Sequence, residues 1–582
     1  MTIALRGPAR RTRARAAGLW LDPSRRPVLI VWALIVAPLV WWWAHLLWTG
    51  WFPQGDEALV AIRTHDVFST HPPLLGMRTT SSINTPGVHA HHPGPLEFYA
   101  LALPYRLSGS HPWGLLLGCL LILIAFVTIA LRSAHRAAGA AGVAIVAWAM
   151  AVLEITVGAA LVLPLNTWTP MIGLLAVLVL GWRLLLGATS EMPWYAVCAA
   201  YVAQAHVSFA PLVGLLTVVL CAVGAVRWRR RREAIWPMPG FHPRHRAPWW
   251  RRRGWVTAYL TVLCWLPVGV EAFTGSPNNL TELTRVATAP SKATVGLGVS
   301  VRQFLEMLAP AALPDPGRIA VGVVVLLLLV AAGVRTWGAV RRRGLDPRDT
   351  DSRIATLIAV GAICAIPLIW MGSRLQGGNT LIYLALPLAA PLVLTGCGGW
   401  WVCSVVAARL APQSPMRPGG LRVVAVLGVV VSLLVASHSS AFLTLTGYST
   451  AVTQAREDVP RMADALNAPA LRHRPIVVKW TGAVDWTSVA PALEAELVAR
   501  GRHVYFDGVW PNPEYDEFRR IRNAPEDSVV VLLRERPSDH ARWSQTSVPA
   551  ASRTMTFDLR TGDGRGQVQL LIQRAPFSSS ES

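Results

Sequence analysis

No glycine-rich phosphate loop, no internal repeat and no cysteine set at metal or disulfide spacing occurs in this 582-residue sequence. Without a phosphate loop after a strand, a nucleotide site of that kind is excluded. All seven cysteines (Cys119, Cys198, Cys221, Cys264, Cys364, Cys397 and Cys403) fall in apolar segments, which excludes a disulfide framework and a thiolate metal site. Residues 449–582 contain none, so cysteine usage says nothing of compartment. No small-x-small cleavage site follows the first apolar run, 28–48, and that run is longer than a signal-peptide core. An uncleaved signal anchor is expected there. Acidic charge is also scarce, with 32 Asp and Glu against 54 Lys and Arg and a net charge of +22. Such an excess invites a nucleic-acid reading, but its distribution argues otherwise. From residue 449 onward 17 basic side chains meet 17 acidic ones, whereas the first 448 residues hold 37 against 15. That excess sits in alternate loops such as VRWRRRREAIW and VRRRGLDPR, the pattern of cytoplasmic membrane loops and not of a nucleic-acid stripe. Nucleic acid is not an expected partner.

What the chain does have is apolar sequence: 53% hydrophobic residues and a mean hydropathy of +0.41. The runs are about twenty residues long, enough to cross a hydrocarbon core of about 30 Å. They fall near 28–48, 113–131, 137–157, 168–186, 255–272, 318–337, 354–371, 380–400 and 421–441. The stretch 194–226 would make a helix near 50 Å long at 1.5 Å per residue, too long for one crossing. Gln204, His206 and Pro211 interrupt it, so two short crossings joined at QAHVSFAP are expected, making eleven in all. With the basic N-terminus inside, the loops assigned inside hold roughly four times as many Lys and Arg as those assigned outside. The expected organisation is a basic cytoplasmic N-terminus (1–27), a transmembrane domain (28–448) and an extracytoplasmic domain (449–582). In that last segment strands at PIVVKW, RHVYF and DSVVVLLRE alternate with helical stretches, which suggests a small, independently folding α/β layer.

The first outside loop, 49–112, carries Asp56, Glu57, Asp66, Glu97 and six of the fifteen histidines. A carboxylate beside a membrane span is costly unless it has a use. GDEALVAIRTHDVF reads as a helix start with Asp56 as N-cap, and that alone would account for the acids through the helix dipole. HAHHPGP reads either as a polar loop closed by prolines or as a metal or substrate site built on His91 and His92. A divalent metal ion is compatible with the nearby carboxylates, although adjacent histidines turn poorly to one ion. GPLEFYALALPYRL is helical in pattern but too short to span, so it should lie along the interface. Asn166 opens the fourth span, where a helix cap is its plain reading. Gln204 and His206 are polar groups inside an apolar stretch, more often satisfied core residues than ligands. Arg374 is the only basic residue in the short turn GSRLQGGN, placed to meet a phosphate or a lipid headgroup.

In order and spacing, these pieces resemble the GT-C superfamily of polytopic glycosyltransferases, particularly the branch of protein O-mannosyltransferases and lipid A aminoarabinose transferases. That branch carries an Asp-Glu pair in its first outside loop, matched by Asp56 and Glu57. It then has a His/Lys-Pro-Pro stretch leading into an interfacial helix, matched by His92-Pro93-Gly94-Pro95 and LEFY. A polar residue opens the fourth span (Asn166), a short-helix hairpin follows (QAH), and a basic residue precedes a Tyr and a proline-rich span (Arg374 and Tyr383). The chain departs from the pattern at three places. Gly94 stands for the second proline, Asn166 where an acid is common, and Gln204 where a lysine is common. The resemblance implies transfer of a sugar from a polyprenyl-phosphate donor to an envelope acceptor hydroxyl, at the outer face among membrane lipids. In that scheme Asp56 is the base, Glu57 holds acceptor or metal, and Arg374 meets the phosphate. His91, His92, Glu97, Asn166, Gln204, His206 and Tyr383 line the substrates. A transporter would place its polar groups at the bilayer midplane, and a non-catalytic scaffold would use the tail to bind a partner.

Overall fold

The fold is that of a computed structural model, which describes residues 26–79, 87–235, 249–288, 294–309, 313–343, 349–374, 387–410, 448–481, 489–506, 517–536, 551–561 and 564–573. The helices in chain order are α1 (Arg26–Thr49), α2 (Gly55–Asp66), α3 (Leu96–Leu107), α4 (Pro112–Val157), α5 (Thr169–Leu185), α6 (Met192–Ala205), α7 (Ala210–Ile235), α8 (Trp249–Thr274), α9 (Asn279–Thr288), α10 (Leu297–Met307), α11 (Asp315–Arg343), α12 (Thr350–Arg374), α13 (Ala389–Leu410), α14 (Tyr448–Ala465) and α15 (Val489–Ala499). Among the described residues seven helices are long and apolar enough to cross a membrane. The protein is a multi-pass membrane protein.

The expected count of eleven crossings is not reproduced as eleven separate long helices, for three reasons. First, the runs at 113–131 and 137–157 are joined in α4, which turns at Ala138 and Gly139. Gly139 takes φ +58° there, a left-handed setting natural to glycine, so the chain reverses within one small-residue stretch. Second, α5 has 17 residues, at the lower limit for a crossing, and α6 only 14. Third, the run at 421–441 lies outside the described residues, and the helix expected at 380–400 begins at Ala389. The break in 194–226 is as expected: α6 ends at Ala205, His206 is extended, and α7 resumes at Ala210.

The tail is a five-stranded sheet in the order β2-β1-β3-β5-β4. Strands β1 (Ile476–Thr481), β2 (Val504–Phe506) and β3 (Val529–Arg536) are parallel, and β4 (Ala551–Thr561) with β5 (Gly564–Gln573) adds an antiparallel hairpin. Side chains alternate across the sheet as strand geometry requires. Val477 and Val530 meet Ile521 and Ala524 on one face. On the other, Ile476, Val478, Val531 and Leu533 pack with Val459 and Met462 of α14 and Leu493 and Leu497 of α15. The same apolar cluster takes in Ala58, Leu59 and Ile62 of α2, together with Leu101 of α3 and Leu116 of α4. The tail thus shares its apolar core with the first loop and α4. Helix α2, from the first loop, packs against α15 of the tail, and one apolar core runs from the tail into the membrane half.

Candidate active site

Helix α2 begins just after α1 because Gly50 turns the chain with φ +73° and Gln54, extended, starts a new helix. The N-cap is Gln54 and not Asp56, and it makes no side-chain cap. Asp56 and Glu57 lie inside the first turn, where the exposed amide ends of the helix favour negative charge. The pair splits by side. Glu57 faces inward and is buried, while Asp56 is only half buried. Burial and then the Asp56 charge push the Glu57 carboxyl up to about 8, against hydrogen bonds from the Trp51 side chain and the Gln54 backbone. Burial raises Asp56 too. When two adjacent acids share a site, they cannot both ionise cheaply. Burial therefore disfavours charge on both acids, and the Asp56 charge adds to that cost at Glu57.

Helix α3 crosses beside α2 and brings Glu97 in its first turn, buried, with Oε1 free of any hydrogen-bond partner among the described residues. Burial alone pushes its carboxyl up to about 8. Helix α3 is packed on one side and open on the other. Leu103 and Leu107 are exposed, but Phe98, Leu101 and Tyr105 are core residues.

The histidine loop is clamped from two sides. The His92 ring lies against that of His206, their centres 4.2 Å apart and their planes tilted by 36°. Val207 N–H donates to His92 Nδ1 at 3.2 Å and Ser208 N–H donates to His206 Nδ1 at 3.1 Å. Both rings are thus neutral with the proton on Nε2, and burial holds both well below the usual histidine range, His206 at about 3. The second clamp was not legible beforehand. Asn279 at the start of α9 accepts from His91 N–H (2.8 Å) and donates to His91 O (3.2 Å), while its own N–H donates to Glu271 Oε1 (2.8 Å). Glu282 accepts from His89 N–H at 2.9 Å and pairs with Arg285 at 2.7 Å.

Two departures from the family pattern prove to be one feature. Gly94 N–H donates to Gln204 O, and its Cα lies so close to the Gln204 side chain that a Cβ would reach 2.7 Å from Gln204 Cδ and 2.6 Å from Val268 Cγ2. Proline could not stand there, since it lacks the N–H and would need that space. Gln204 Nε2 donates to Cys264 O at 2.8 Å. Asn166 is not a helix cap; the N-cap of α5 is Trp168, and Asn166 Nδ2 donates instead to Ala205 O at 2.9 Å. Gln204 and His206 therefore hold the α6–α7 break against the His92–Pro95 loop, and Asn166 ties that break to the segment leading into α5.

Arg374 is exposed at the end of α12, its guanidinium 5.7 Å from the Trp370 ring centre. Among the described residues no hydrogen bond or ion pair joins it to Asp56 or Glu57. Tyr383 lies outside the described residues. No group of three or more His, Cys, Asp or Glu side chains is gathered, among the described residues, as a metal ion would require. With both Nδ1 atoms of the His92–His206 pair taken by backbone N–H groups, the donors among the described residues do not fit one.

No protein-family model and no curated protein matches the chain. Among solved structures it is similar to ArnT from Cupriavidus metallidurans in the apo state, at 14% identity and TM-score 0.45, over 95% of this chain and 98% of that one. The same ArnT bound to undecaprenyl phosphate aligns at 14% identity and TM-score 0.46, over 92% and 97%. An Archaeoglobus fulgidus oligosaccharyltransferase tethered to an acceptor peptide aligns at 11% identity and TM-score 0.37, over 81% and 64%. These likenesses are of outline and set no residue's role.

Proposed function

We propose that the chain is a membrane glycosyltransferase that moves a sugar from a polyprenyl-phosphate donor to an acceptor hydroxyl on the extracytoplasmic side. The observation that carries this reading is the acid pair itself: a partly exposed Asp56 beside a buried Glu57, whose carboxyl is pushed up to about 8, in the first turn of one helix. The undecaprenyl phosphate of the ArnT structure suggests the same kind of carrier here. The chemistry follows from the pair. Asp56 takes the proton of the acceptor hydroxyl, and that oxygen bonds to the anomeric carbon. The bond from that carbon to the phosphate oxygen breaks, and the lipid phosphate leaves with the electron pair. A base with a raised pKa is better matched to a hydroxyl proton at neutral pH. Glu57, neutral, lets Asp56 keep its charge. Arg374 is the cation offered to the leaving phosphate, for which a guanidinium fork is suited.

The test is incubation of the purified protein in lipid nanodiscs with a panel of polyprenyl-phosphate sugars and acceptors, measuring lipid phosphate released. Release with one donor is expected. No release with any donor, from folded protein, would favour a scaffold of the same fold.

A further inference from the structure

One buried ion pair has no part in that chemistry, yet it holds the helix that does. Asp66 closes α2, and Arg519, 453 residues later, meets it with two bonds: Nε to Oδ2 at 3.0 Å and Nη2 to Oδ1 at 2.6 Å. Both side chains are buried. Arg519 stands in a short turn, Glu517–Arg519, whose Phe518 ring stacks on His71 at 4.3 Å and 15°. On the other side, Arg63 of α2 donates to Leu75 O at 2.7 Å, and Arg106 of α3 donates to His65 O at 3.0 Å. The last turn of α2 is therefore gripped by both halves of the molecule.

We propose that Arg519 is a positioning residue: through Asp66 it fixes the setting of α2 and with it the place of Asp56. The apolar side chains of α2 bury it against the tail but do not fix its rotation, since hydrophobic contact is non-directional. A two-bond guanidinium–carboxylate fork does fix it. Ten residues separate Asp66 from Asp56, a lever of roughly 15 Å. A tilt of about 4° at the Asp66 end moves Asp56 by about 1 Å, a misplacement that can cost on the order of 100-fold in rate. The groups facing the pair agree with this role. Burial raises the Asp66 carboxyl, but hydrogen bonds and charge from His65 and Arg519 bring it below the usual range. On α15, Glu494 is wholly buried near Arg519, and burial raises it well above the carboxylate range, so it stays neutral and leaves the Arg519 charge to Asp66.

The activity part of this inference rests on the transferase reading, so the test has two readouts on the full chain in nanodiscs: hydrogen exchange of residues 55–66 and transfer kinetics. Arg519→Gln should speed exchange in α2 at least tenfold and lower kcat at least tenfold, with donor KM within about twofold of wild type, because ground-state binding elsewhere is intact. Arg519→Lys should fall between, and Asp66→Asn with Arg519→Gln together should lose no more than Arg519→Gln alone, as partners in one interaction do. Should Arg519→Gln fail to fold, Arg519→Lys and Asp66→Asn supply the same comparison. Wild-type exchange in α2 of these variants, or losses that add in the double variant, would overturn the positioning role. Faster α2 exchange in a protein whose wild type transfers nothing would leave the ion-pair lock standing and sink the transferase reading instead.

Discussion

Gly94→Ala is the smallest change with a large expected effect. Gly94 has ordinary backbone angles, so nothing is lost in conformational freedom; the cost is space. The added methyl would sit 2.6 Å from Val268 Cγ2 and 2.7 Å from Gln204 Cδ, and closer still to Gln204 Oε1. Gln204 cannot easily swing away, since it is fully buried and its Nε2 is tied to Cys264 O. Overpacking of this kind costs about 1–3 kcal/mol. Proline at the same position would also remove the Gly94 N–H bond to Gln204 O, adding about 1 kcal/mol. Thermal unfolding in nanodiscs at one fixed scan rate reads the effect: Gly94→Ala should melt below wild type and Gly94→Pro lower again. In a Gln204→Ala background, where the two Gln204 contacts are gone, Gly94→Ala should cost measurably less. Equal melting of Gly94→Ala and wild type, or a cost indifferent to residue 204, would refute the close approach.

Three further outcomes are expected. Burial pushes the Glu57 carboxyl from its ordinary 4.5 up to about 8 in the folded protein, so its contribution to stability is fully present below about 4.5 and is lost as pH rises towards 8. Glu57→Gln should flatten that part of the stability–pH curve; an unchanged curve would mean that Glu57 is ionised in the folded protein. Removal of residues 449–582 should strip cover from Ala58, Leu59 and Ile62, so that protease cuts the first loop rapidly; a resistant loop would restore the independent tail. Arg374→Lys should weaken donor turnover and Arg374→Ala weaken it further, and unaltered donor affinity in the Ala variant would leave Arg374 a lipid-facing anchor.

How much was legible follows from which signals are local. Length and apolarity gave the helices, and the interruption at Gln204 and His206 gave the break between α6 and α7, because both are properties of one continuous stretch. The short helices α2 and α3 could be read from pattern for the same reason. Asn166 departs from the cap expected of it because capping is a local habit of asparagine, while its bond to Ala205 O spans 39 residues. Asn279, Glu282 and Arg519 went unnoticed because nothing near them in sequence marks a partner hundreds of residues away. The β4–β5 hairpin did leave a local sign: alternating apolar and polar residues on either side of TGDGRG, a turn-forming stretch. The sharing of α2 between the two halves left none. Its apolar residues are numerous enough to face two partners, but the sequence does not say that one of them is the tail.

The central claim is that Asp56 takes the acceptor proton. Asp56→Asn keeps shape and most hydrogen bonding while removing that capacity, and general-base catalysis is typically worth about 10² to 10⁴-fold. Lipid phosphate released per folded molecule, with donor binding measured on the same sample, is the direct test. The account predicts a fall of that order with donor affinity unchanged; a folded Asp56→Asn protein that turns over like wild type would contradict it.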